Sequence, residues 1–392
     1  MSDPMSDAFL QGQGIPVELR EVESTLERLW GPAAERVGGP EPEHPHVTRI
    51  VLANLVVERL AAEAWELRPV LEDVVTRFPC RAIVVRGSDD PARRVTAEVS
   101  ALCHLPDPGL PQVCSERIVL HAGPNALDLI PGAIRPLLEA DLPVILWWTT
   151  DPRAHERLFR EMGGDCSRLL LDLPDPGVST GALRLGLDPS ICSWSRDTVW
   201  FGLTRWRELV AQFFDPPCHH ETLNRIDSLH IDALSPDPSG PPRLAIWLAA
   251  WLAGQLGWKR QGKPVMVSAA EGSSFRAAFL GPLGTLALEI VTRPLPADLG
   301  PLPRLTGVTL TARGPEGTET FRLARTAPAS ADVRIQAEAP DYCALPRVVR
   351  AEELDSARRI ASALESSRFD RPYENARPVA FWLLEHARGG GG

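Results

Sequence analysis

Histidine and cysteine are the residue types in this sequence best suited to bind a metal ion, and two short clusters contain them. The clusters are Cys218-His219-His220 and His44-Pro45-His46. A structural zinc site takes four ligands in paired spacing, and neither cluster has a second pair near it in the sequence. The sequence therefore predicts solvated loops at both places and no metal site.

The cysteines raise a separate question of thiol chemistry. There are seven, an odd number without a CxxC spacing: Cys80, Cys103, Cys114, Cys166, Cys192, Cys218 and Cys343. This pattern argues against a disulfide scaffold. Cys103 and Cys114 lie on two predicted strands that could pair, so they are either two buried small hydrophobic residues or a redox-sensitive thiol pair. The spacing leaves both interpretations open.

Motifs for nucleotide binding and for hydrolysis are absent from the sequence. No GxGxxG follows a predicted strand, and there is no GxxxxGK[ST], GxSxG or HExxH. A phosphate cradle needs such glycines so that backbone amides can approach the anion. The glycine pair Gly163-Gly164 and the segment 271–274 are the nearest substitutes, and both are more typical of turns.

Charged residues beside predicted strands suggest internal ion pairs. Glu116 precedes the apolar run Ile118–Leu120, and Arg81 precedes Ile83–Val85. A charge buried next to a strand needs a partner, so a pair of Arg81 with Glu116 is interpreted as architecture rather than catalysis. The alternative is a phosphate-binding site at the loop ends of the first sheet, formed by Arg117, Arg81 and Arg153.

Two segments combine aromatic and guanidinium groups. They are Trp194-Ser195-Arg196 and Arg205-Trp206-Arg207-Glu208. Such combinations are enriched at protein interfaces and also occur at domain junctions. Single-stranded nucleic acid could use the same groups. The formal net charge of −10 over 392 residues makes that interpretation weaker, and it also disfavours a general affinity for anionic membranes.

A predicted strand places two tryptophan side chains. Val144, Ile145 and Leu146 form an apolar run typical of a strand buried in a parallel sheet, and Trp147 and Trp148 end it. Because side chains alternate across a strand, the two tryptophans must point to opposite faces. We expect one under a helix and the other near the carboxyl edge, where an exposed tryptophan would suit a partner.

Periodicity predicts an α/β protein: an N-terminal mixed α/β sheet domain followed by an α+β domain with an antiparallel meander and covering helices. The predicted boundaries are a flexible N-terminus over 1–14, a first domain over 15–216, a proline-rich linker over 217–242, a second domain over 243–388 and a glycine tail over 389–392. Within the first domain we expect a helix at Val17–Leu29, one strand at Val47–Leu60, and a hairpin of Arg94–Leu105 with Pro111–Ala122. Within the second we expect six strands and two C-terminal helices, Ala351–Ser366 and Pro372–Ala387.

No apolar run reaches the roughly 18 residues of a membrane span, and the first residues lack the basic and apolar regions of a signal peptide. We therefore expect a cytoplasmic protein with no membrane partner.

Six short blocks, taken in order, resemble the OpcA family, the glucose-6-phosphate dehydrogenase assembly proteins of cyanobacteria and actinobacteria. The blocks are Arg77–Val85, Cys114–Ile118, Ile134–Leu138, Asp141–Trp148, Arg168–Asp172 and Leu203–Ala211. The helix that ends Trp-Leu-Ala-Gly-Gln-Leu-Gly-Trp258 marks the resemblance in the second half. Where relatives often have a serine in the first block, this chain has Cys80.

The resemblance implies an accessory protein without a reaction or cofactor of its own, which binds the dehydrogenase, favours its active oligomer and activates it. It also implies thiol-redox control, with thioredoxin as a second partner and redox candidates Cys80, Cys103, Cys114 and Cys166. Candidate partner-binding residues are Trp147, Trp148, Arg117, Arg205, Trp206 and Arg207. The alternative is a sugar-phosphate or nucleotide-binding enzyme that uses the loop ends of the N-terminal sheet.

Overall fold

The structure, a computed structural model, divides into two compact units. The first comprises Met1–Leu173, Ala182–Thr198 and Ser356–Ser366, and the second comprises Pro174–Gly181, Val199–Asp355 and Ser367–Gly392. The residues it describes are 4–35, 47–60, 67–104, 112–175, 179–269, 271–314, 316–339, 342–343, 345–367 and 369–387. Within these ranges, no helix has both the length and the apolar character needed to cross a membrane.

Helices and strands are numbered along the chain. The helices are α1 (Pro4–Leu10), α2 (Val22–Glu35), α3 (Leu67–Arg77), α4 (Ile130–Ile134), α5 (Glu156–Asp165), α6 (Thr180–Gly186), α7 (Val199–Gly202), α8 (Thr204–Ala211), α9 (Arg243–Gln255), α10 (Ser356–Glu365) and α11 (Arg371–Leu384). The strands of the first unit are β1 (Ile15–Val17), β2 (Val47–Arg49), β3 (Asn54–Arg59), β4 (Arg81–Gly87), β5 (Thr96–His104), β6 (Gln112–Ala122), β7 (Val144–Trp148), β8 (Arg168–Leu171) and β9 (Ser195–Asp197). Those of the second are β10 (Ile226–Ser235), β11 (Lys259–Ala269), β12 (Gly272–Gly281), β13 (Gly284–Pro294), β14 (Arg304–Arg313), β15 (Thr318–Arg325), β16 (Asp332–Ala339), β17 (Tyr342–Cys343) and β18 (Arg347–Arg350).

The sheet of the first unit is mixed, as predicted. Its order is β1-β5-β6-β4-β3-β7-β8-β9, with β2 added beside β6. The strands from β6 to β9 in this order are parallel to their neighbours, and β5 forms the predicted antiparallel hairpin with β6. The single strand predicted over Val47–Leu60 is wrong. The chain forms β2 and β3 instead, because β2 pairs with β6 whereas β3 pairs with β4 and β7.

Strand β7 lies near the centre of this sheet, and both of its tryptophans are buried. Trp147 and Trp148 are each 0% exposed. The ring of Trp148 packs edge-on against Phe159 of α5 with centroids 5.0 Å apart. Trp147 donates a hydrogen bond from Nε1 to Oδ2 of Asp172 at 3.3 Å. The expectation that one tryptophan would be exposed at the edge is therefore wrong, because Trp148 packs under α5 and Trp147 is buried as well.

The N-terminus also departs from the prediction. Residues 4–10 of the segment predicted to be flexible form α1. Phe9 of this helix is 0% exposed, and its ring meets that of Trp30 edge-on at 5.1 Å. The apolar contact with Trp30, 21 residues farther along the chain, thus holds in place a segment that consists mainly of polar and small residues. The predicted glycine tail lies outside the described residues.

The second unit contains a sheet with the order β11-β12-β13-β10-β14-β15-β16-β17, and β18 pairs with β16. The six strands predicted by alternation are present and antiparallel to one another where they pair. However, the predicted linker over 217–242 contains β10, which inserts at the centre of the sheet parallel to β13 and antiparallel to β14. The prediction of a linker is therefore wrong for residues 226–235.

Two helices cover one face of this second sheet. Trp247 of α9 stacks on Tyr373 of α11 with ring centroids 4.9 Å apart, and Trp382 of α11 meets Phe279 of β12 at 5.3 Å. The other helix predicted for this role, α10, belongs to the first unit, where it packs beside α3. The spacing of its apolar residues predicts a helix with one buried face. Spacing alone does not show which of the two cores that face packs against.

Candidate functional site

The strand order of the first unit creates a place where ligands commonly bind. From β3 the chain moves outward through β4 to β6 and then returns to β7 on the other side of β3. In open parallel sheets, ligands occupy the crevice outside the carboxyl ends of the strands at such a switch point. The boundary between β3 and β7 is therefore the position at which this sheet would hold a nucleotide.

A carboxylate of the chain itself occupies this position. Glu58, the fifth residue of β3, is 0% exposed. Its Oε1 accepts a hydrogen bond from the backbone N–H of Leu60 at 2.7 Å, and its Oε2 accepts from those of Thr149 and Thr150 at 2.9 and 3.0 Å. Backbone amides that converge on a negative charge form an anion site, and here the anion is a side chain. Glu58 is not among the residues predicted from the sequence, because a glutamate near the end of a strand usually faces solvent.

The sequence that follows β3 lacks the glycine motif of a dinucleotide-binding loop. Residues 60–67 read Leu-Ala-Ala-Glu-Ala-Trp-Glu-Leu and contain no glycine. A pyrophosphate needs a glycine turn for close backbone approach, and the negative charge of Glu58 would repel it. Farther along the same edge, Asp172 accepts hydrogen bonds from Trp147 Nε1 at 3.3 Å and from the hydroxyl of Thr198. These groups tie the ends of β7, β8 and β9 to one another.

The predicted pair of Arg81 and Glu116 is confirmed and forms the centre of a buried network. Arg81 is 3% exposed and donates from Nε to Glu116 Oε2 at 2.7 Å and from Nη1 to Glu23 Oε1 at 2.7 Å. Glu116 Oε1 also accepts from Arg49 Nε at 2.7 Å and from Trp30 Nε1 at 2.6 Å. With its partners this close, Arg81 is held in place as architecture.

The three arginines proposed to grip phosphate do not converge. Arg81 is the first residue of β4 and so lies at the amino edge of the sheet, and Arg117 pairs with Ala82 beside it. Arg117 donates to Ser100 Oγ at 2.9 Å, and burial lowers the pKa of its guanidinium. Arg153 follows β7 at the carboxyl edge and pairs with Asp151 at 2.6 Å. The structure separates these side chains between opposite ends of the strands.

The candidate partner residues of the second unit differ in their exposure. Trp206 is 4% exposed. The guanidinium of Arg207 lies 3.6 Å from the ring centroid of Trp200, and burial lowers its pKa to about 10. Arg205 has a side chain that is 39% exposed and pairs with Glu208 at 3.1 Å. Of these three candidates, Arg205 offers the most accessible charge to a partner.

The structure joins Cys103 and Cys114 in a disulfide. The two residues lie directly opposite each other in the β5–β6 ladder, with Cα atoms 4.1 Å apart. The sequence left two interpretations open, and the interpretation as two free buried thiols is therefore wrong. Cys80 is fully buried, which raises the pKa of its thiol to about 12. Because the thiolate is the reactive form, this environment makes Cys80 a poor redox group.

Cys166 has a thiol partner, Cys192, that is not among the predicted redox candidates. Its thiol and that of Cys192 hydrogen-bond to each other, which lowers the pKa of Cys192 and raises that of Cys166. Cys192 Sγ also lies 3.4 Å from the carbonyl oxygen of Trp194 and 3.8 Å from that of Cys166. The two cysteines are 26 residues apart and follow different elements. No local spacing signal could therefore have paired them.

Metal-ligand residue types do not assemble in the described part of the chain. Within those ranges, no group of three or more His, Cys, Asp or Glu side chains is arranged to hold a metal ion. His219 uses Nδ1 to contact the carbonyl oxygen of Phe213 at 2.7 Å. His44, His46 and the side chain of Cys218 lie outside the description.

Two family models match the chain and together span about three quarters of it. Residues 72–184 match the N-terminal domain, and residues 194–377 the C-terminal domain, of the glucose-6-phosphate dehydrogenase subunit known as the OpcA assembly protein. The chain belongs to the OpcA family.

Among curated relatives, the OxPP cycle protein OpcA of Synechococcus elongatus is 29% identical over 195 residues, which are 48% of this chain and 42% of that protein. The OpcA protein of Nostoc punctiforme is 30% identical over 197 residues, which are 48% of this chain and 40% of that protein. The matched region thus spans less than half the length of either relative.

Solved structures of oxidoreductases align with most of the chain at low similarity. A 3-ketoreductase from Actinomadura kijaniata in complex with TDP-benzene and NADP gives a TM-score of 0.48 at 14% identity, with 86% of this chain and 97% of that chain covered. Biliverdin reductase from Synechocystis gives 0.45 at 9% identity, with 86% and 96% covered. Both TM-scores are below 0.5, so neither alignment supports an argument about this chain.

Proposed function

We propose that this OpcA-family chain is a non-catalytic accessory protein that binds glucose-6-phosphate dehydrogenase, promotes its active oligomer and raises its activity in the oxidative pentose phosphate pathway. The family models are named for a subunit of this dehydrogenase and match parts of both units. The observation that carries the non-catalytic part is the environment of Glu58, whose carboxylate takes the backbone amides at the switch point of the first sheet.

Activation requires unequal affinity for two states of the enzyme. An accessory protein that bound the active and inactive states equally would shift nothing, however tightly it bound. A difference of about 1 to 3 kcal/mol would give roughly 5- to 150-fold coupling. The expected signature is therefore a dehydrogenase whose active oligomer forms at lower concentration when the accessory protein is present.

The contact surface in this proposal does not use the tryptophans of β7. Trp147 and Trp148 are each 0% exposed, so neither can enter a partner's pocket while β7 stays in its sheet. Arg205 is the candidate we retain, because its side chain is 39% exposed. Arg117, Trp206 and Arg207 make internal contacts that a partner would have to replace.

Thiol control is the finer part of the proposal. The candidates are the Cys103–Cys114 disulfide, which a dithiol protein of the thioredoxin class would reduce, and the Cys166–Cys192 thiol pair, which the disulfide form of such a protein would oxidise while it is itself reduced to the dithiol. In the exchange, a thiolate of the reductant attacks one sulfur of the disulfide, and the reductant leaves oxidised while both cysteines leave as thiols. Cysteine-to-serine variants at each pair test this. Activation that is equal in oxidising and reducing conditions for wild type and variants would reject redox control.

The rival is an enzyme that binds nucleotide or sugar phosphate at the loop ends of the first sheet. Isothermal titration of the protein alone with NADP and with glucose 6-phosphate separates the two. We expect no heat of binding, since Glu58 fills the anion position and Arg81, Arg117 and Arg153 do not converge. Micromolar binding of either ligand would favour the rival.

A further inference from the structure

Within the part of the chain that the structure describes, one face of the second sheet, on the side opposite α9 and α11, remains accessible. Directly paired residues of neighbouring strands share a face. The row through the middle of this face runs across five strands through residues that are exposed or half-exposed: Arg276, Glu289, His230, Thr309 and Arg322. The rows on either side are mostly alanine, serine, threonine, valine and glycine. We call this surface the open face.

We propose that the open face binds the open face of a second copy of this chain and forms a two-fold symmetric dimer. The partner is a copy of the same sheet, packed face to face across the rows just described. This inference goes beyond the accessory function and does not depend on the dehydrogenase, so each can fail without the other.

The size of the open face suits a stable interface. The strands from β11 to β16 in the sheet order number seven and have eight or more residues each. At about 4.8 Å between strands and about 3.3 Å per residue, they cover about 29 by 26 Å, or about 750 Å². A standard protein interface buries roughly 800 Å² per partner. The small side chains flanking the central row also allow two sheets to approach to the usual separation of about 10 Å.

The charge of the open face favours a second copy. The whole chain carries a net charge of −10, so two copies repel each other over most surfaces. On the open face, by contrast, acidic and basic side chains neutralise each other in three ion pairs: Arg276–Glu289 at 2.9 Å, Arg293–Asp232 at 2.9 Å and Arg313–Asp227 at 3.1 Å. Two copies that meet through this face therefore escape most of the like-charge repulsion.

A two-fold axis makes the central row self-complementary. Suppose that the axis lies in the interface plane and runs along the boundary between β10 and β14. Each strand then faces, in the second copy, the strand that lies equally far from the axis on its other side. Glu289 of β13 then faces Arg322 of the second copy, and His230 of β10 faces Thr309 of the second copy. Opposite charges thus meet twice, once on each side of the axis.

Charge reversal tests the dimer with the purified chain alone. Sedimentation equilibrium of the wild type should give a dimer mass at micromolar concentration. Arg322→Glu should raise the dimer dissociation constant at least tenfold, because it places two carboxylates face to face twice per dimer. Glu289→Arg combined with Arg322→Glu should restore most of the affinity. Arg20→Glu, with the same charge change at a side chain 83% exposed in the first unit, is the matched control and should leave the dimer intact.

Three results would overturn the proposal. The first is a wild-type monomer at concentrations up to about 100 µM. The second is a dimer that Arg322→Glu leaves unchanged while circular dichroism shows that the variant is folded. The third is hydrogen-exchange protection of β10, β13 and β14 that appears only when the dehydrogenase is added, because the occupant of the open face would then be the enzyme.

Discussion

At the residue scale, the environment of Glu58 bears most directly on what the first unit can bind. The parallel strands follow an order that in other proteins accompanies dinucleotide binding, with the crevice between β3 and β7. Glu58 fills this crevice with three backbone hydrogen bonds of 2.7 to 3.0 Å. The same contacts that obstruct a phosphate also connect the end of β3 to the loop after β7, so Glu58 is expected to contribute to stability.

Replacement of Glu58 by glutamine should measure that contribution. Glutamine keeps the shape but removes the charge and sets an amide N–H₂ group against backbone donors, so we expect a loss of about 1.5 to 3 kcal/mol in the free energy of unfolding. Urea denaturation followed by circular dichroism is the measurement. The control is Glu72→Gln, at a side chain 46% exposed, which should change the free energy little. Equal losses for the two variants would contradict the assigned role.

The tryptophan at the end of β7 allows a second test at this scale. Trp148 is 0% exposed and packs on Phe159, so Trp148→Ala should leave a cavity and lower the unfolding free energy by about 3 to 5 kcal/mol. Leu129→Ala, at a side chain 60% exposed, should cost much less. A Trp148→Ala protein with the wild-type urea midpoint but weakened binding to the dehydrogenase would instead make Trp148 an interface residue.

At the element scale, β10 shows what local sequence can and cannot predict. The strands around Val144 and the hairpin before it were predictable, because apolar runs and alternation are local signals. Strand β10 was not, because prolines flank one short apolar stretch and its partners β13 and β14 begin about 50 to 80 residues later. The candidate site follows the same rule: the pair of Arg81 with Glu116 could be predicted from charge beside strands, whereas two of the three amides that bond Glu58, those of Thr149 and Thr150, belong to a loop far along the chain.

Strand β10 also carries a titratable group that makes stability depend on pH. His230 lies 3.3 Å from Asp232 and 3.3 Å from Glu289, and the hydrogen bond to Asp232 raises its pKa above the ordinary value of about 6.5. A raised pKa in the folded state stabilises the fold fully below about pH 6.5, and the contribution is lost as the pH rises through the raised pKa. Arg276 and Arg293 pair with the same two carboxylates, Glu289 and Asp232, at 2.9 Å each.

Comparison of wild type with His230→Gln isolates this contribution. The difference in unfolding free energy between the two proteins should be largest near pH 5.5 and should shrink towards pH 9. Urea denaturation at matched protein concentration across this range provides the measurement. A difference that stays constant with pH would show that His230 acts through packing rather than through its charge.

At the scale of the whole molecule, the two units have separate sheets, and each of the two family models matches residues of both units. The first unit has a nucleotide-type strand order with a carboxylate at its switch point, and the second has a broad open face. The open face offers a broad surface for association, and the Glu58 carboxylate takes the backbone amides at the switch point of the first sheet. This combination is what an accessory subunit needs, because its effect comes from preferential binding to one state of a partner.

The most direct test of this account is a glucose-6-phosphate dehydrogenase assay with the cognate enzyme, with and without this protein, combined with light scattering of the same mixtures. We predict a larger complex together with raised activity or a lowered substrate requirement, and no activity from this protein alone. The absence of both a complex and a kinetic change, under oxidising as well as reducing conditions, would contradict the account.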